Sequence, residues 1–337
     1  MAVIVIEMHQ NISRRLSVAP MMDYTDRHAR YLLRLISQHT LLYTEMVTSA
    51  ALVHGDAARL LNYNHEEHPV ALQVGGSDPS EMAAAARLAE QYGYDEINVN
   101  VGCPSDRVQA GRFGACLMAE PDTVAECVAA MRGATRLPVT VKTRIGIDHQ
   151  DSYEALCGFV ERVSEAGCGS FTIHARKAWL KGLSPRENRD VPPLDYPRVY
   201  RLKEDYPALE IIINGGILNL DQAIEQLAQV DGVMVGRAAY HNPWLLAEAD
   251  TRVFGCPPPA VKPSREGVLA AYREYCERQH AQGVPLAHMT RHLMGLVQGL
   301  PGARRFRRTL SEGAHQPQVA PTLIDEAWAV IGQAQAG

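Results

Sequence analysis

The stretch PVALQVGGSDPSEMAAAARLAEQYGYDEINVNVG, residues 69–102, has two apolar segments rich in β-branched residues on either side of an alanine-rich segment. The first apolar segment ends in Gly-Gly, and the second runs directly into Cys103. Asp78 and Pro79 form a turn-and-cap cluster at the start of the middle segment, which ends at Gly93. Residues 69–102 therefore predict a strand, a helix and a second strand.

Similar runs recur along the chain at intervals of roughly 25–40 residues, with helix-like segments between them. The other six predicted strands are 16–20, 41–46, 138–146, 170–176, 210–216 and 231–237. Strands that alternate with helices predict an α/β protein with a parallel sheet, and eight is the number that closes a (β/α)8 TIM barrel. An open, doubly wound sheet is the alternative.

The strand pattern stops after Pro257-Pro258-Pro259, which is a plausible linker. Three helical segments are predicted after it, at 265–283, 286–300 and 321–335. We therefore predict an N-terminal extension (1–15), a barrel domain (16–256) and a small all-helical C-terminal domain (260–335).

Composition limits the class of protein. The chain has 337 residues, of which 46% are hydrophobic and 21% charged, as in an ordinary globular protein. Its seven cysteines form no Cys-x-x-Cys pair, which indicates reduced thiols and a cytoplasmic location. The sequence shows no signal peptide and no apolar run of about 20 residues, so we expect no membrane span. We also expect no metal, because HEEHP (65–69) is one residue short of the zinc-protease spacing.

The charge is unevenly distributed. The net charge is −5, but residues 260–337 contain nine Lys/Arg and six Asp/Glu. Such asymmetry is typical of a polyanion-binding end on an acidic protein. ARRFRR (303–308) offers charge beside an aromatic ring, which suits phosphate and base contacts, and 176–189 is a second basic segment.

Five predicted strands carry a polar residue near the C-terminal end, the face at which barrel enzymes place their active sites. These residues are Gln73, Asn98 with Asn100, Lys142, His174 and Asn214. Cys103 follows one of these strands between Gly102 and Pro104, which can turn its thiol over the barrel mouth. We therefore predict an active site at this face.

Two glycine turns predict a phosphate site. Gly215-Gly216 follows the seventh strand and Gly236-Arg237 follows the eighth, the positions at which barrels frequently bind phosphate. The sequence has no P-loop, and no Gly-x-Gly-x-x-Gly opens a helix after a strand. A phosphate-bearing cofactor without a Rossmann motif suggests FMN.

The chain resembles the tRNA-dihydrouridine synthase family, and within it the A branch. The resemblance covers nearly all of 16–335, and it rests on APMMDYTDRHAR, ALQVGG, INVNVGCPSDRVQAGRFGACLM, VKTRIGID, FTIHARKAWLKGLSP, INGGI and VMVGRA. SPRENRDVPPLDYPRVYRLK and GLVQGLPGARRFRRTLSE match the A branch in particular. The family implies FMN in the barrel, NADPH as the electron donor, and reduction of D-loop uridines at tRNA positions 20 and 20a.

The resemblance also implies residue roles. Cys103 is the expected proton donor, and Asn100 is expected to touch the substrate base. The expected FMN contacts are Pro20, Met21, Met22, Gln73, Lys142, His174, Asn214, Gly215, Gly216, Gly236 and Arg237. For tRNA we expect contacts from Arg186, Arg189, Arg304 and Arg307, which combine basic charge with three-residue spacing.

The residue types suit this chemistry. Hydride from N5 of reduced FMN adds to C6 of uracil, and the charge left on C5 and O4 requires a proton at C5 from a placed acid. A free thiol has a pKa of about 8.5, so it is mostly protonated at neutral pH. Two alternatives stay open: a flavin barrel that acts on a free pyrimidine, like a dihydroorotate dehydrogenase, and an RNA-binding protein without catalysis.

Overall fold

The computed structural model describes residues 12–316 and 318–336, so residues 1–11 of the predicted N-terminal extension lie outside the described part. Its strands are β1 (Leu16–Val18), β2 (Leu41–Tyr43), β3 (Val47–Thr48), β4 (Val70–Gly75), β5 (Glu96–Asn100), β6 (Val139–Arg144), β7 (Ser170–His174), β8 (Glu210–Asn214) and β9 (Gly232–Val235). All pairings between these strands are parallel, and β1 pairs with both β2 and β9. The pairing of β2 with β4 completes a closed barrel, with β3 as a short extra strand beside the end of β4. The predicted (β/α)8 barrel is confirmed, and the open sheet is excluded.

Helices surround the barrel and continue after it. They are α1 (Arg27–Ile36), α2 (Ser49–His54), α3 (Ala57–Leu60), α4 (Pro79–Gln91), α5 (Asp106–Ala110), α6 (Pro121–Arg132), α7 (Tyr153–Glu165), α8 (Tyr196–Asp205), α9 (Leu220–Gln226), α10 (Arg237–His241), α11 (Ala249–Arg252), α12 (Arg265–Ala281), α13 (Leu286–Thr290), α14 (Ala303–Gly313) and α15 (Leu323–Ala336). Short 3-10 helices span His65–Glu67, Gly114–Ala119, Glu187–Arg189, Pro243–Leu246 and Arg291–Gly295. No helix in the described ranges is long and apolar enough to cross a membrane.

The start of α4 shows why the local sequence folds as predicted. The Asp78 side chain accepts a hydrogen bond from the backbone N–H of Glu81, and Pro79 occupies the first turn. Both features stabilise a helix N-terminus, because the first turn leaves N–H groups without backbone partners. Met82, Ala85, Ala86 and Ala89 are the buried residues of α4. Such small residues allow the helix to pack closely on the sheet.

A hydrogen-bonded chain of polar side chains runs through the barrel interior. Asn100 Nδ2 donates to Gln73 Oε1 (2.9 Å), and Gln73 Nε2 donates to Asn98 Oδ1 (2.8 Å). From Asn98 the chain continues through Thr140 to Glu96, which is 0% exposed. Arg14 Nε closes the lower end with an ion pair to Glu96 Oε2 (2.7 Å). Buried polar groups need such partners, so the chain fixes the side chains beneath the mouth.

The helical region after the barrel packs on α1. Tyr275 of α12 stacks on Tyr31 at 4.0 Å between ring centroids, and its hydroxyl lies 2.6 Å from His28 Nδ1. Asp26, the N-cap residue of α1, accepts a hydrogen bond from Arg291 Nη2 (2.6 Å) and lies 3.0 Å from His292 Nε2. These contacts hold 265–336 against one side of the barrel; the division into separate domains stays a prediction.

The prediction of a single helix over 286–300 is wrong. Helix α13 ends at Thr290, and a 3-10 turn follows it to Gly295. A Cβ at Gly295 would lie 2.4 Å from the backbone oxygen of Tyr240. This close approach to α10 requires a glycine, and the chain turns there instead of continuing as a helix.

The expectation that the aromatic ring of ARRFRR contacts RNA bases is also wrong. Phe306 is 0% exposed and belongs to the hydrophobic core of the chain. Leu310, one helical turn later, is buried on the same face of α14. Arg304, Arg305 and Arg308 are exposed and form the outer face of this helix, and the Phe306 ring anchors the helix to the core.

We predict that Phe306→Ala lowers the free energy of unfolding by about 3–5 kcal/mol, because it leaves a cavity in a packed core. Urea denaturation of the purified protein measures this change. Arg305→Ala, at the exposed neighbouring position, is the matched control and is expected to change stability by less than about 0.5 kcal/mol. Equal effects of the two substitutions would contradict the anchoring role of the ring.

Candidate active site

The polar residues at the strand ends meet at one end of the barrel, as predicted. Asn100 on β5 is in register with Lys142 on β6, and His174 on β7 is in register with Asn214 on β8. Neighbouring residues in register on parallel strands point to the same side of a sheet, which here is the interior. The mouth at the C-terminal ends of the strands is therefore polar on at least four adjacent strands.

Asn100 fixes the backbone that carries Cys103. Its Oδ1 accepts hydrogen bonds from the N–H groups of Gly102 (3.1 Å) and Cys103 (3.0 Å). The Cys103 carbonyl accepts a further bond from the N–H of Ala115 (2.9 Å), which ties the following loop back to it. A Cβ at Gly114 would come within 2.6 Å of that carbonyl, so only glycine allows this approach. The thiol is partly exposed, and its Sγ lies 3.6 Å from Ser105 Oγ.

Two cations stand beside the thiol. Burial, and to a smaller extent the charge of Arg144, lowers the pKa of Lys142 to about 7, while Cys103 acts in the opposite direction. Burial likewise lowers the pKa of Arg144 to about 10, again with an opposing effect of Cys103. Lys142 is in register with Asn100, and Arg144 bonds to the carbonyl of Gly102, the residue before Cys103. The Lys142 ammonium has no hydrogen-bond or ion-pair partner within 12–316 and 318–336, so it is available to a ligand.

Arg144 is a site residue that sequence reasoning missed. Its Nε donates to the carbonyl of Gly102 (2.8 Å), and its Nη1 donates to the carbonyls of Lys177 (3.1 Å) and Asn188 (3.0 Å). It thereby braces the Cys103 turn against the loop after β7. The signal was available, because Arg144 follows Lys142 by two residues and so shares its face of the strand.

Asn188 was missed as well. It is 0% exposed and organises the long loop after β7 by donating from Nδ2 to the carbonyls of Trp179 (2.9 Å) and Leu183 (3.1 Å). Its Oδ1 accepts from the N–H of Trp179 (2.8 Å). Nothing in the local sequence separates this asparagine from an ordinary loop residue.

His174 is a neutral group at the mouth. Burial lowers its pKa well below the ordinary value, and the charges of Arg144 and Lys142 add to this effect. A Cβ at Gly215 would lie 2.6 Å from His174 Cδ2, so the ring stands directly against the glycine turn. At neutral pH the imidazole can therefore donate or accept a hydrogen bond there without carrying charge.

The two glycine turns lie on adjacent strands, β8 and β9. Gly215 and Gly216 have φ values of 112° and 73°, a region that favours glycine. The N–H groups of these two glycines donate to no acceptor among the described residues. Arg237 at the second turn is not free, because its Nη2 forms an ion pair with Asp190 Oδ1 (2.7 Å). An anion at this place would have to share or displace that pair.

The remaining predicted cofactor residues differ in accessibility. Gln73 is 1% exposed, and both of its amide atoms bond to asparagines, so it supports Asn100 from below. Met21 packs against the small core inside the barrel, and Met22 is 57% exposed at the mouth. Pro20 lies between them and β1.

The predicted tRNA-binding arginines are not equivalent. Arg189 lies at the mouth: burial lowers its pKa, as does the nearby Arg237, while Cys103 opposes the change. Arg186 is exposed on the same loop, and Arg304 is exposed on α14. Arg307 is partly buried and held by the carbonyl of Met294 (Nε, 2.8 Å). We therefore expect substitutions of these four arginines to differ in their effect on tRNA binding.

Comparisons with known proteins match almost the whole chain. The family model described as dihydrouridine synthase (Dus) matches residues 17–330. The chain is 59% identical over 326 residues to the tRNA-dihydrouridine(20/20a) synthase of Vibrio cholerae, covering 96% of this chain and 99% of that protein. Identity to the protein of the same name from Escherichia coli K12 is 58% over 320 residues, which cover 95% and 92% of the two chains.

A more distant likeness concerns the fold alone. The solved structure of a 2-naphthoyl-CoA reductase in complex with 2-naphthoyl-CoA is similar to this chain with a TM-score of 0.56 and 12% identity. The similarity covers 72% of this chain and 51% of that one, so this chain spans about half of the reductase.

We predict that Lys142→Met stabilises the flavin-free protein, most strongly below pH 7. The lysine pKa falls from 10.5 to about 7 on folding, because the buried ammonium is poorly solvated and faces Arg144. Between these values the unfolded chain binds more protons, so wild-type stability rises with pH. Methionine does not titrate, and its advantage should therefore shrink from pH 7 to pH 10.5 in urea denaturation.

Lys181→Met, at an exposed position, controls for the loss of a lysine in general. An advantage of Lys142→Met that is constant across this pH range would contradict the burial of a titrating ammonium at the mouth.

Proposed function

The chain belongs to the dihydrouridine synthase family, and from this premise we propose that it reduces the C5=C6 bond of uridines at tRNA positions 20 and 20a, with FMN in the barrel mouth and NADPH as electron donor. The observation that carries the proposal is the Cys103 thiol, held by Asn100 beside the unpartnered ammonium of Lys142. These are an acid and a cation, the two groups that reduction of a conjugated carbonyl requires.

The residues at the mouth fit FMN. The N–H groups of Gly215 and Gly216 have no acceptor in the described part of the chain, and a phosphate needs such donors. A side chain at Gly216 would lie 2.4 Å from Leu194 Cδ1, so the turn forms a shallow cradle that only glycine leaves open. Arg237 would serve the phosphate if its pair with Asp190 opens or is shared.

The isoalloxazine ring would lie over Lys142 and His174. Lys142 supplies a positive charge for an anionic ring edge, and an anion would restore the lysine pKa that burial lowers. His174 offers a neutral hydrogen-bonding ring beside Gly215. Met21 and Met22 offer polarisable, apolar contacts at the end of β1.

FMN held at the mouth would, in its reduced form, supply the hydride for C6 of uracil. Addition at C6 leaves the electron pair delocalised over C5, C4 and O4 of the base. The Cys103 S–H bond then breaks, its proton forms the new C–H bond at C5, and the thiolate that remains is reprotonated from solvent. Arg144 keeps the thiol in place through Gly102, and Lys142 and Arg144 hold positive charge beside the thiolate.

We further propose that residues 260–335 bind the body of the tRNA while residues 16–256 perform the chemistry. The flipped uridine must leave its stack, which costs a few kcal/mol and needs compensation from backbone contacts. Arg304 and Arg305 face solvent on α14, and Arg186 and Arg189 lie on the loop after β7. Positive charge therefore stands on α14 and on the loop after β7, which suits a polyanion that contacts both segments.

We expect purified wild-type protein to be yellow and to form dihydrouridine at positions 20 and 20a of a tRNA transcript with NADPH. Cys103→Ala should retain flavin and its reduction by NADPH but lose about 10²–10⁴-fold in tRNA turnover, since general acid catalysis contributes this much. Stopped-flow oxidation of the reduced enzyme by tRNA measures the turnover, and mass mapping of the product measures dihydrouridine formation at each position. Ser105→Ala, next to the thiol, is the matched control.

Near-normal turnover of Cys103→Ala would overturn the proton-donor assignment alone. A wild-type enzyme that carries flavin but reduces free pyrimidines in preference to tRNA would overturn the proposed substrate.

We predict that Arg304→Ala weakens tRNA binding and reduces the slope of log affinity against log salt by about 0.7–0.9, the value for one lost phosphate contact. Filter binding over a salt series measures the slope. Arg162→Ala removes the same charge from α7 on the outside of the barrel and should leave the slope unchanged. If the two variants behave alike, α14 takes no part in tRNA binding.

A further inference from the structure

A second cavity lies beside the mouth, between the barrel and the helical region. Its volume is about 410 Å³, which is in the range of small-ligand sites. Leu218 and Ala238 form part of the barrel wall, and Met294, Gln298 and Arg307 form the opposite wall. We call this cavity the side pocket.

The side pocket adjoins the predicted phosphate turns. Leu218 comes two residues after Gly216, and Ala238 directly follows Arg237. Tyr240, which also lines the pocket, stacks on Tyr24 of the β1 loop at 4.2 Å between ring centroids. A ligand that reaches from the mouth into the side pocket therefore has to cross only the two glycine turns, Gly215-Gly216 and Gly236-Arg237.

The lining suits a flat molecule with a polar edge. Arg307 is fixed by bonds to the Met294 carbonyl and to Gln298 Oε1 (2.8 Å each), which leaves a rigid planar cation and a thioether on one wall. Leu218, which is 64% exposed, stands on the other wall. Arginine planes, methionine and leucine side chains are surfaces on which nucleobases stack.

Asn242 contributes a polar side-chain atom that lacks a hydrogen-bond partner among the described residues. Its Oδ1 is buried and accepts no hydrogen bond from residues 12–316 or 318–336. Such a group costs free energy unless it finds a partner, and because Asn242 lines the side pocket, a ligand there can supply one. Gln298 receives Arg307 on its oxygen, so its Nε2 remains a donor. An amide pair of this kind matches the adjacent donor and acceptor atoms of a pyrimidine edge.

We propose that the side pocket receives the base of the nucleotide next to the uridine that is being reduced. The inference rests on the proposed function, in which the substrate uridines occupy adjacent positions 20 and 20a. While one base lies in the mouth, its neighbour stacks between Leu218 and Arg307 and bonds to Asn242. The pocket thereby selects a splayed dinucleotide rather than a single flipped base.

The test combines a protein change with an RNA change. Two tRNA transcripts are prepared, one with its target uridine at position 20 and an abasic neighbour at 20a, the other with the target at 20a and an abasic neighbour at 20. Each is compared with the same transcript carrying uridine at both positions, with wild-type enzyme, Asn242→Ala and Arg308→Ala. Rates of dihydrouridine formation at the target are measured in single turnovers with pre-reduced enzyme. Arg308 pairs with Glu312 on α14 outside the pocket and serves as the control.

We expect removal of the neighbouring base to slow wild type and Arg308→Ala about tenfold on at least one transcript, as the loss of one stacked base does. In Asn242→Ala, the intact transcript should already be slow, and the abasic change should add less than about twofold, because interacting groups are not additive.

Wild-type rates that do not depend on the neighbouring base in either transcript, or fully additive losses, would overturn the side pocket as a base site and leave the proposed function intact. A raised KM for NADPH in Asn242→Ala without tRNA would overturn it as well, by assigning the pocket to the electron donor. Absence of dihydrouridine formation by wild type would overturn the proposed function and the inference together.

Discussion

The hydrogen-bonded chain inside the barrel is the constraint on which the mouth depends. It starts at the Arg14–Glu96 ion pair near the N-terminal ends of the strands and ends at Asn100. The side-chain nitrogen of Asn100 donates to Gln73, and its side-chain oxygen accepts hydrogen bonds from the N–H groups of Gly102 and Cys103. The position of the thiol is therefore set by residues that extend through the whole barrel. The links from Gln73 through Asn98 and Thr140 to Glu96 are buried, and a missing partner there would leave a polar group without solvent or protein to bond.

The barrel mouth contains cationic side chains in an environment that disfavours their charged forms. Lys142 and Arg144 have lowered pKa values mainly because burial destabilises their charged forms, and repulsion from a neighbouring cation adds to the effect, from Arg144 on Lys142 and from Arg189 on Arg144. Buried cationic side chains are ordinarily paired with carboxylates, which offset such repulsion. Lys142 has no carboxylate partner among the described residues. An anionic ligand would relieve the repulsion. This is the physical reason to regard the mouth as a binding site even before any relative is considered.

The helical region is placed by specific polar contacts as well as by apolar packing. Asp26 caps α1 and at the same time pairs with Arg291 and approaches His292. His292 and the N–H of Ala29 lower the pKa of Asp26 despite its burial. His292 in turn lies 3.2 Å from the Tyr240 hydroxyl, the residue that stacks on Tyr24. The contact between the helical region and α1 therefore extends to the Tyr240–Tyr24 pair at the edge of the barrel mouth.

The sequence by itself determined the order of strands and helices, the closed barrel and the gathering of Asn100, Lys142, His174 and Asn214 at one end. Strand periodicity decides which side chains share a face, and parallel strands bring their C-terminal ends together regardless of the loops. Local glycine and proline patterns also predicted Cys103 at the mouth and the two glycine turns, and motif resemblance added the roles expected of these residues. Only the tertiary structure decided what depends on contacts between distant segments. It buried Phe306, broke 286–300 at Gly295, paired Arg237 with Asp190, and gave Arg144 and Asn188 their bracing roles. Burial and partnership are properties of the packed chain, because each depends on residues that lie tens to hundreds of positions away.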